Sequence, residues 1–302
     1  MKNWYTPLIV LTILAGLLLG GCAPASQAIS ATDGLGQQVS LASPAQRIIS
    51  LAPSNTEILY AVGAGAQVVG RDDFSDFPAE AQQVKSVGGN PYNMEEIVAL
   101  KPDLVLLAEI NTPELATQLK ELGIATYYVS NPTDFAGLFK NIETIGSLTG
   151  HNDEAKALTK SLAERVEKVS KSLESVTEQP IVYYELDASD PAKPWTVGPG
   201  TFIDMLLTQA KAQNFTVVSG VSEPYPQISI EQVVKVDPDF IILGDAAWGV
   251  TVESVGQRPG WENLKAVAAQ TVLPFDDNLV SRPGPRLVDA LEQLAALLHP
   301  QE

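Results

Sequence analysis

The fold is decided by a segment that the chain contains twice, as NMEEIVALKPDLVLL (residues 93–107) and again as SIEQVVKVDPDFIIL (residues 229–243). Each copy begins with a residue that can cap a helix, continues with a short helix and stops at Pro-Asp. Each then ends in an apolar run short enough to be a buried parallel strand. The repeat predicts two similar α/β lobes with central, mainly parallel sheets.

A glutamate holds the same place in both copies. Glu95 and Glu231 lie in the first helical turn, where the helix dipole favours negative charge and the side chain points towards solvent. Helix stabilisation alone would explain either one. A matched pair on two pseudo-symmetric lobes is also what docking onto a two-fold symmetric partner requires, so both interpretations stay open.

The N-terminus predicts export from the cytoplasm. An apolar segment, Leu8–Leu19, leads directly into Leu19-Gly20-Gly21-Cys22, which is typical of a secretory signal peptide over residues 1–21 rather than of a spanning helix. Leu-x-Gly-Cys resembles the bacterial lipoprotein box, which implies that Cys22 is lipidated and becomes the first mature residue. Residues 22–32, small and polar, are predicted to be a flexible tether.

Composition narrows the possible partners. The net charge of −17 and a pI near 4.5 argue against nucleic acid, which needs a basic face, and against adsorption to anionic lipid. Cys22 is the only cysteine, so the chain has no disulfide. We expect a membrane link through the lipid alone, in the periplasm or on the outer face of the plasma membrane.

A long amphipathic helix separates the two repeats. Apolar residues recur at spacings of three and four over residues 153–176, with charged residues between them. We predict an N-terminal lobe over residues 33–150, a linking helix over 151–177 and a C-terminal lobe over 178–302. The alternative is an ordinary surface helix that belongs to one lobe.

Local signals predict further elements. Residues 33–36 favour a hairpin, residues 47–51 a buried strand, and Arg286–Leu298 a closing helix. Ser54 and Glu57 have the spacing of a capping box at the start of another helix.

Motifs of enzymes and metal sites are missing. The glycine pattern of residues 63–70 follows a helix and leads into a strand, which is the reverse of a dinucleotide site. The only histidines, His151 and His299, are far apart in sequence, so neither a catalytic triad nor a cluster of imidazole ligands is expected. Acidic pairs such as Asp72-Asp73 are typical of solvated loops. We predict no catalytic residue, no metal and no cofactor.

Aromatic residues instead collect in the connections, where strands of open α/β sheets end and ligands bind. Rigid aromatic faces with few charges suit a large, flat, partly apolar ligand better than an ion or a sugar. Each could also pack only against its own loop. The residues concerned are Phe74, Tyr92, Trp195, Tyr225 and Trp248.

Three segments resemble the helical-backbone class of ABC-transporter substrate-binding proteins: residues 47–57, 93–107 and 281–286. That class takes up vitamin B12, ferric siderophores and haem, and the cobalamin-binding pattern is the nearest. The resemblance implies two α/β lobes joined by one long helix, a ligand between them and a small hinge motion. It also implies that Glu95 and Glu231 match two glutamates that meet arginines on the permease dimer.

The resemblance extends to single residues of the ligand site. Phe74 matches an aromatic before Ser-Asp-aromatic-Pro, Tyr225 a tryptophan before Pro-Gln, and Arg282 the first arginine of Arg-x-x-Pro-Arg. Trp195 falls near another family aromatic, Tyr92 stands close to where a tryptophan is expected, and Trp248 has no clear counterpart. The resulting ligand-binding set is Ser54, Phe74, Tyr92, Trp195, Tyr225, Trp248 and Arg282.

The sequence therefore predicts a monomeric, lipid-anchored receptor that delivers cobalamin to an ABC permease. A ferric siderophore or haem is the alternative ligand. An enzyme on the same scaffold, or a surface interaction protein without a small ligand, are the alternatives from other classes.

Overall fold

The structure is a computed structural model that describes residues 28–300. The predicted signal peptide and Cys22 lie outside the described residues. Residues 29–32 were assigned to the tether, and this was wrong, because Ile29–Thr32 forms a strand. Ile29 and Ala31 alternate with polar residues and pack on the core opposite Leu41 and Val39, which holds this strand in place.

Within the described residues, the N-terminal lobe contains six strands and four α-helices. Its strands are β1 (Ile29–Thr32), β2 (Gln38–Leu41), β3 (Ile48–Ser50), β4 (Val68–Arg71), β5 (Leu104–Ala108) and β6 (Thr126–Val129); its helices are α1 (Pro53–Ala61), α2 (Met94–Ala99), α3 (Pro113–Glu121) and α4 (Phe135–Thr149). The first two strands form the expected hairpin. The other four make a parallel sheet in the order β4-β3-β5-β6, whose central strands β3 and β5 are fully buried.

A long helix, α5 (Asn152–Ser172), follows. It ends earlier than the predicted 177 because residues 173–176 form turns, although Leu173 and Val176 still pack on the core. This helix lies against α4, and its apolar stripe joins a core that draws residues from both lobes.

The C-terminal lobe repeats the topology. Its strands are β7 (Ile181–Asp187), β8 (Trp195–Thr196), β9 (Gln213–Asn214), β10 (Phe240–Leu243) and β11 (Val272–Pro274); its helices are α6 (Phe202–Gln209), α7 (Phe215–Ser219), α8 (Ile230–Val236), α9 (Val252–Gly256), α10 (Lys265–Ala268), α11 (Asp277–Val280) and α12 (Leu287–Leu298). The parallel strands follow the order β9-β7-β10-β11, and β8 adds an antiparallel pairing to β7.

The two sheets therefore share one connectivity. Among the parallel strands of each sheet, the first along the chain (β3 or β7) lies between the second and the third. The repeated segment supplies the third parallel strand with the helix before it, as α2-β5 and α8-β10. The predicted two-lobed α/β fold with mainly parallel sheets is confirmed.

The predicted capping box at Ser54 and Glu57 is wrong. Helix α1 begins at Pro53, with Ala52 as its N-cap and no side-chain capping bond, because proline is well suited to the first helical position. The Glu57 carboxylate instead accepts hydrogen bonds from Arg286, from Nε at 2.8 Å and from Nη2 at 2.6 Å. A bond between segments distant in the chain has replaced a local one.

Across residues 28–300, no helix has both the length and the apolar character needed to cross a membrane.

Candidate ligand-binding cleft

The carboxyl ends of the N-terminal strands open into a cavity of about 520 Å³. Phe74 and Ile110 line it with side chains that are 66% and 77% exposed. Large apolar side chains left this open commonly mark a binding surface. Other lining residues include Leu51, Asp72, Pro91, Tyr92, Met94, Asn111 and Leu115.

Tyr92 forms a fixed wall of this cavity. Its hydroxyl donates to the Leu51 carbonyl at 3.1 Å and accepts from Asn111 Nδ2 at 2.7 Å, while Asn111 also donates to the Leu51 carbonyl at 3.0 Å. Burial, and secondarily the Asp72 carboxylate, raises the pKa of Tyr92 to about 12. The ring is therefore neutral and held in one orientation.

A chain of buried hydroxyl groups holds the loop that carries Phe74. Thr56 Oγ1 donates to Ser50 Oγ at 2.8 Å and shares a hydrogen bond with Ser75 Oγ at 2.7 Å. Ser75 donates in turn to the buried Asp72 carboxylate, which also accepts from the Phe74 amide at 3.3 Å. Sequence reasoning missed this chain, although its members surround the aromatic residue that was identified.

On the C-terminal lobe, Trp195 and Tyr225 lie on two segments that pair with each other. The short strand β8 carries Trp195 and pairs with the segment around Tyr225, since Thr196 N donates to the Pro226 carbonyl at 3.0 Å and Gly198 N to the Pro224 carbonyl at 2.7 Å. Only glycine fits at position 198, where a Cβ would lie 1.8 Å from the Glu223 carbonyl oxygen. Both aromatic side chains stay partly exposed.

Tyr225 interacts electrostatically with one residue of the other lobe. Burial raises its pKa first, and the Glu109 carboxylate, which follows β5 of the N-terminal lobe, raises it further. The larger cavity itself is lined by N-terminal residues, among them Phe74 and Tyr92. Trp248, 82% exposed, stands at a separate pocket of about 300 Å³ at the ends of β7 and β10.

Arg282 and Arg286 connect the lobes. Arg282 Nη1 lies 2.6 Å from Asp76 Oδ1 and 3.4 Å from Glu57 Oε1, and the Arg286 guanidinium stacks over the Phe77 ring at 4.0 Å. Arg282, a predicted ligand contact, is thus paired with Asp76, which lies two residues after Phe74 in the sequence. Its charge is already paired with two carboxylates.

Ser54 and the histidines are not at the cleft. Ser54 is buried and lines none of the cavities described above. His299 Nε2 donates a hydrogen bond to the Ala210 carbonyl, 2.8 Å away, and His151 occupies the N-cap position of α5 without a side-chain capping bond. Over residues 28–300, no cluster of three or more His, Cys, Asp or Glu residues could hold a metal ion.

Glu95 and Glu231 are exposed on equivalent helices. Neighbouring residues cap the two helices: Asn93 accepts a hydrogen bond from the Glu96 amide at 3.1 Å, and Ser229 forms a capping box with Gln232. Hydrogen bonds from its own backbone and from Ser229 lower the pKa of Glu231, so this carboxylate is ionised at neutral pH. One turn along, each helix also exposes a valine, Val98 at 46% and Val234 at 41%.

Two similar α/β lobes with aromatic side chains in their loops have the architecture of a two-lobed solute-binding protein. The chain belongs to the periplasmic binding protein family, whose sequence profile matches residues 48–279. Proteins of this type bind small ligands and work with ABC transporter permeases, which supports a binding role.

Similar proteins agree with this class. An uncharacterised ABC transporter substrate-binding lipoprotein of Bacillus subtilis, YvrC, is 32% identical, over 95% of both chains. The vitamin B12-binding protein of Vibrio cholerae is 31% identical, over 84% of this chain and 90% of that protein; its crystal structure has a TM-score of 0.72 and covers 84% of this chain and 97% of that one. A possible iron-binding protein of Staphylococcus epidermidis is 29% identical with a TM-score of 0.74, covering 85% of this chain and all of the other. The family and the lipoprotein relative indicate an extracytoplasmic protein.

Proposed function

We propose that this protein is a lipid-anchored receptor that binds cobalamin in the cleft between its lobes and delivers it to an ABC permease. The observation that supports the proposal is a pair of aromatic residues on each lobe, which we propose to face one another across the cleft. Phe74 and Tyr92 stand on the N-terminal lobe, and Trp195 and Tyr225 on the C-terminal lobe, all held by strand ends or buried hydrogen bonds.

The dimensions and polarity of the cleft favour a corrinoid. A flat macrocycle with an apolar face can stack on rigid aromatic rings, and the cavity of about 520 Å³ beside Phe74 and Tyr92 is in the size range of small-molecule sites. The B12-binding relative from Vibrio cholerae supports the same ligand class.

An iron chelate, such as a ferric siderophore or haem, is the second candidate. The specific observation in its favour is the partly exposed Tyr225, whose phenol is a possible ligand for ferric iron. No imidazole lines the cavities described, which removes the other common protein ligand of haem iron.

Removal of an aromatic face tests the ligand site. We expect cyanocobalamin to bind one molecule per protein in calorimetric titration, and Trp195→Ala or Tyr225→Ala to weaken binding by on the order of 1 kcal/mol or more, because each loses a stacking surface. Leu122→Ala, which also shortens an exposed apolar side chain but away from the cleft, is the matched control and should bind like the parent. Heat with a ferric siderophore and none with any corrinoid would move the assignment to the second candidate.

The permease is proposed to meet the face that carries Glu95 and Glu231. On each lobe a carboxylate and an exposed valine lie one helical turn apart, Glu95 with Val98 and Glu231 with Val234. A permease dimer with two-fold symmetry would present two equivalent sites. A basic group beside an apolar group at each site would fit this arrangement. The receptor itself would act as a monomer.

The anchor is tested by Cys22→Ser. One acyl chain holds a protein on a membrane only marginally, whereas two or more hold it firmly, so loss of the acceptor cysteine should move the protein into the soluble fraction. Cyanocobalamin binding should stay unchanged. A variant that still sediments with membranes after a high-salt wash would overturn the anchor.

A further inference from the structure

The smaller pocket contains a buried carboxylate with an unmet hydrogen-bonding capacity. Asp245 lies in the short turn after β10, lines the pocket and is 2% exposed. Its Oδ2 accepts a hydrogen bond from the Ala188 amide at 2.9 Å. Its Oδ1 has no partner among the described residues, and a buried acceptor without a donor is costly.

The charges around Asp245 do not offer that donor. Arg258, whose charge acts on Asp245, is committed to Glu185, with Nη2 at 2.7 Å from Oε1 and Nη1 bonded to Oε2. Asp187 at the end of β7 lines the same pocket and adds a second carboxylate. Burial, followed by repulsion from Glu185, raises the pKa of Asp245 to about 6, so the group is largely ionised at neutral pH.

The remaining lining suits the edge of a flat ligand. Trp248 supplies an exposed ring, while Leu186 and Val250 supply apolar surface beside the two carboxylates. A group that enters this pocket must therefore bring N–H donors and must not bring negative charge.

We propose that this pocket is a subsite for primary carboxamides on the rim of a flat macrocycle, with Asp245 accepting their N–H groups and Trp248 covering the ring edge. The inference rests on the proposed function and deepens it to a ligand class. Carboxamides project from the corrin rim, whereas haem carries carboxylates, which would meet Asp245 and Asp187 at unfavourable distances. The subsite thus binds ligands with carboxamides on the rim more tightly than ligands with carboxylates there.

The test compares cyanocobalamin with cobalamin monocarboxylic acids, in which one rim amide has been hydrolysed. The parent protein should bind cyanocobalamin at least about tenfold more tightly than the acid whose carboxylate falls in the pocket, since a hydrogen bond to a charged group is replaced by repulsion. Asp245→Asn should narrow this ratio, because its amide can donate to a carboxylate. Asp245→Ala should weaken the binding of cyanocobalamin by about tenfold.

Asp190→Asn is the matched control, because Asp190 is an exposed aspartate in the loop after β7 that does not line the pocket, and its substitution should leave both affinities unchanged. Thermal unfolding and circular dichroism establish that each variant is folded. Unchanged cyanocobalamin affinity and unchanged discrimination in both Asp245 variants would overturn the subsite while the receptor function stands. If amines bound more tightly than amides, the pocket would be a site for cations, and the carboxamide subsite would also be overturned. Failure of the parent to bind any corrinoid would overturn the subsite and the proposed function together.

Discussion

A protein in which Glu95 and Glu231 are both changed to lysine is expected to fold, to bind its ligand normally and to deliver none of it through the cognate permease. Both side chains are exposed, and Asn93 and Ser229 cap the two helices, so loss of the carboxylates removes only a small favourable interaction with the helix dipoles. At a charged interface the same change turns attraction into repulsion, which slows association and weakens the complex. Each single reversal should give a similar partial defect, because the lobes are pseudo-symmetric.

Uptake into vesicles that contain the permease is the measurement. Glu114→Lys with Glu253→Lys is the matched control, because these exposed glutamates lie in the first turns of α3 and α9, one on each lobe. This control should transport at the parental rate. Normal uptake by the folded Glu95 and Glu231 double variant would mean that these residues serve only their own helices.

Arg258→Met is expected to destabilise the protein by about 3–5 kcal/mol, because it leaves a buried carboxylate without its counter-charge. Glu185 is fully buried, Arg258 is 6% exposed, and the pair is bidentate. The guanidinium also lies over the Trp261 ring at 4.6 Å, and that contact is lost as well.

Urea unfolding at neutral pH measures this loss. The control is Arg165→Met, which also breaks a paired arginine, but one whose contacts with Asp289 and Glu292 are part-exposed, so the expected cost is about 0–1 kcal/mol. Equal losses for the two variants would contradict the electrostatic account of the Glu185–Arg258 pair.

Much of the fold followed from the sequence because its signals are local. The repeat at residues 93–107 and 229–243 placed a helix and a strand in each lobe, and both sheets have the parallel connectivity that such a repeat predicts. Helix α4 was missed although its signals are present, with Asp134 accepting from the Gly137 amide at the N-terminus and Gly150 at the C-terminus in the left-handed conformation.

The errors arose where distant residues decide the structure. Glu57 has the spacing of a capping residue, but its partners lie more than two hundred residues further along the chain. The strand Ile29–Thr32 looks like a small, polar tether until its partner strand and the core beneath it are known.

The candidate site also contains residues that the sequence could predict and residues that it could not. Its aromatic residues could be singled out because they stand in connections between periodic segments. The structure places Phe74 and Tyr92 at the larger cavity and Trp248 at the smaller pocket, and it leaves Trp195 and Tyr225 partly exposed. Asp245 could not be predicted as a ligand contact, because an aspartate after a strand is common and its importance comes from burial and an unpaired oxygen. The sequence likewise could not predict that Ser54 is buried and lines neither cavity.

The absorption spectrum of the ligand that the protein carries from its own host tests the central claim most directly. The account predicts a cobalt corrinoid spectrum with about one corrinoid released per protein on denaturation. A haem Soret band, or the charge-transfer band of a ferric siderophore, in protein that then binds no added cyanocobalamin would contradict it.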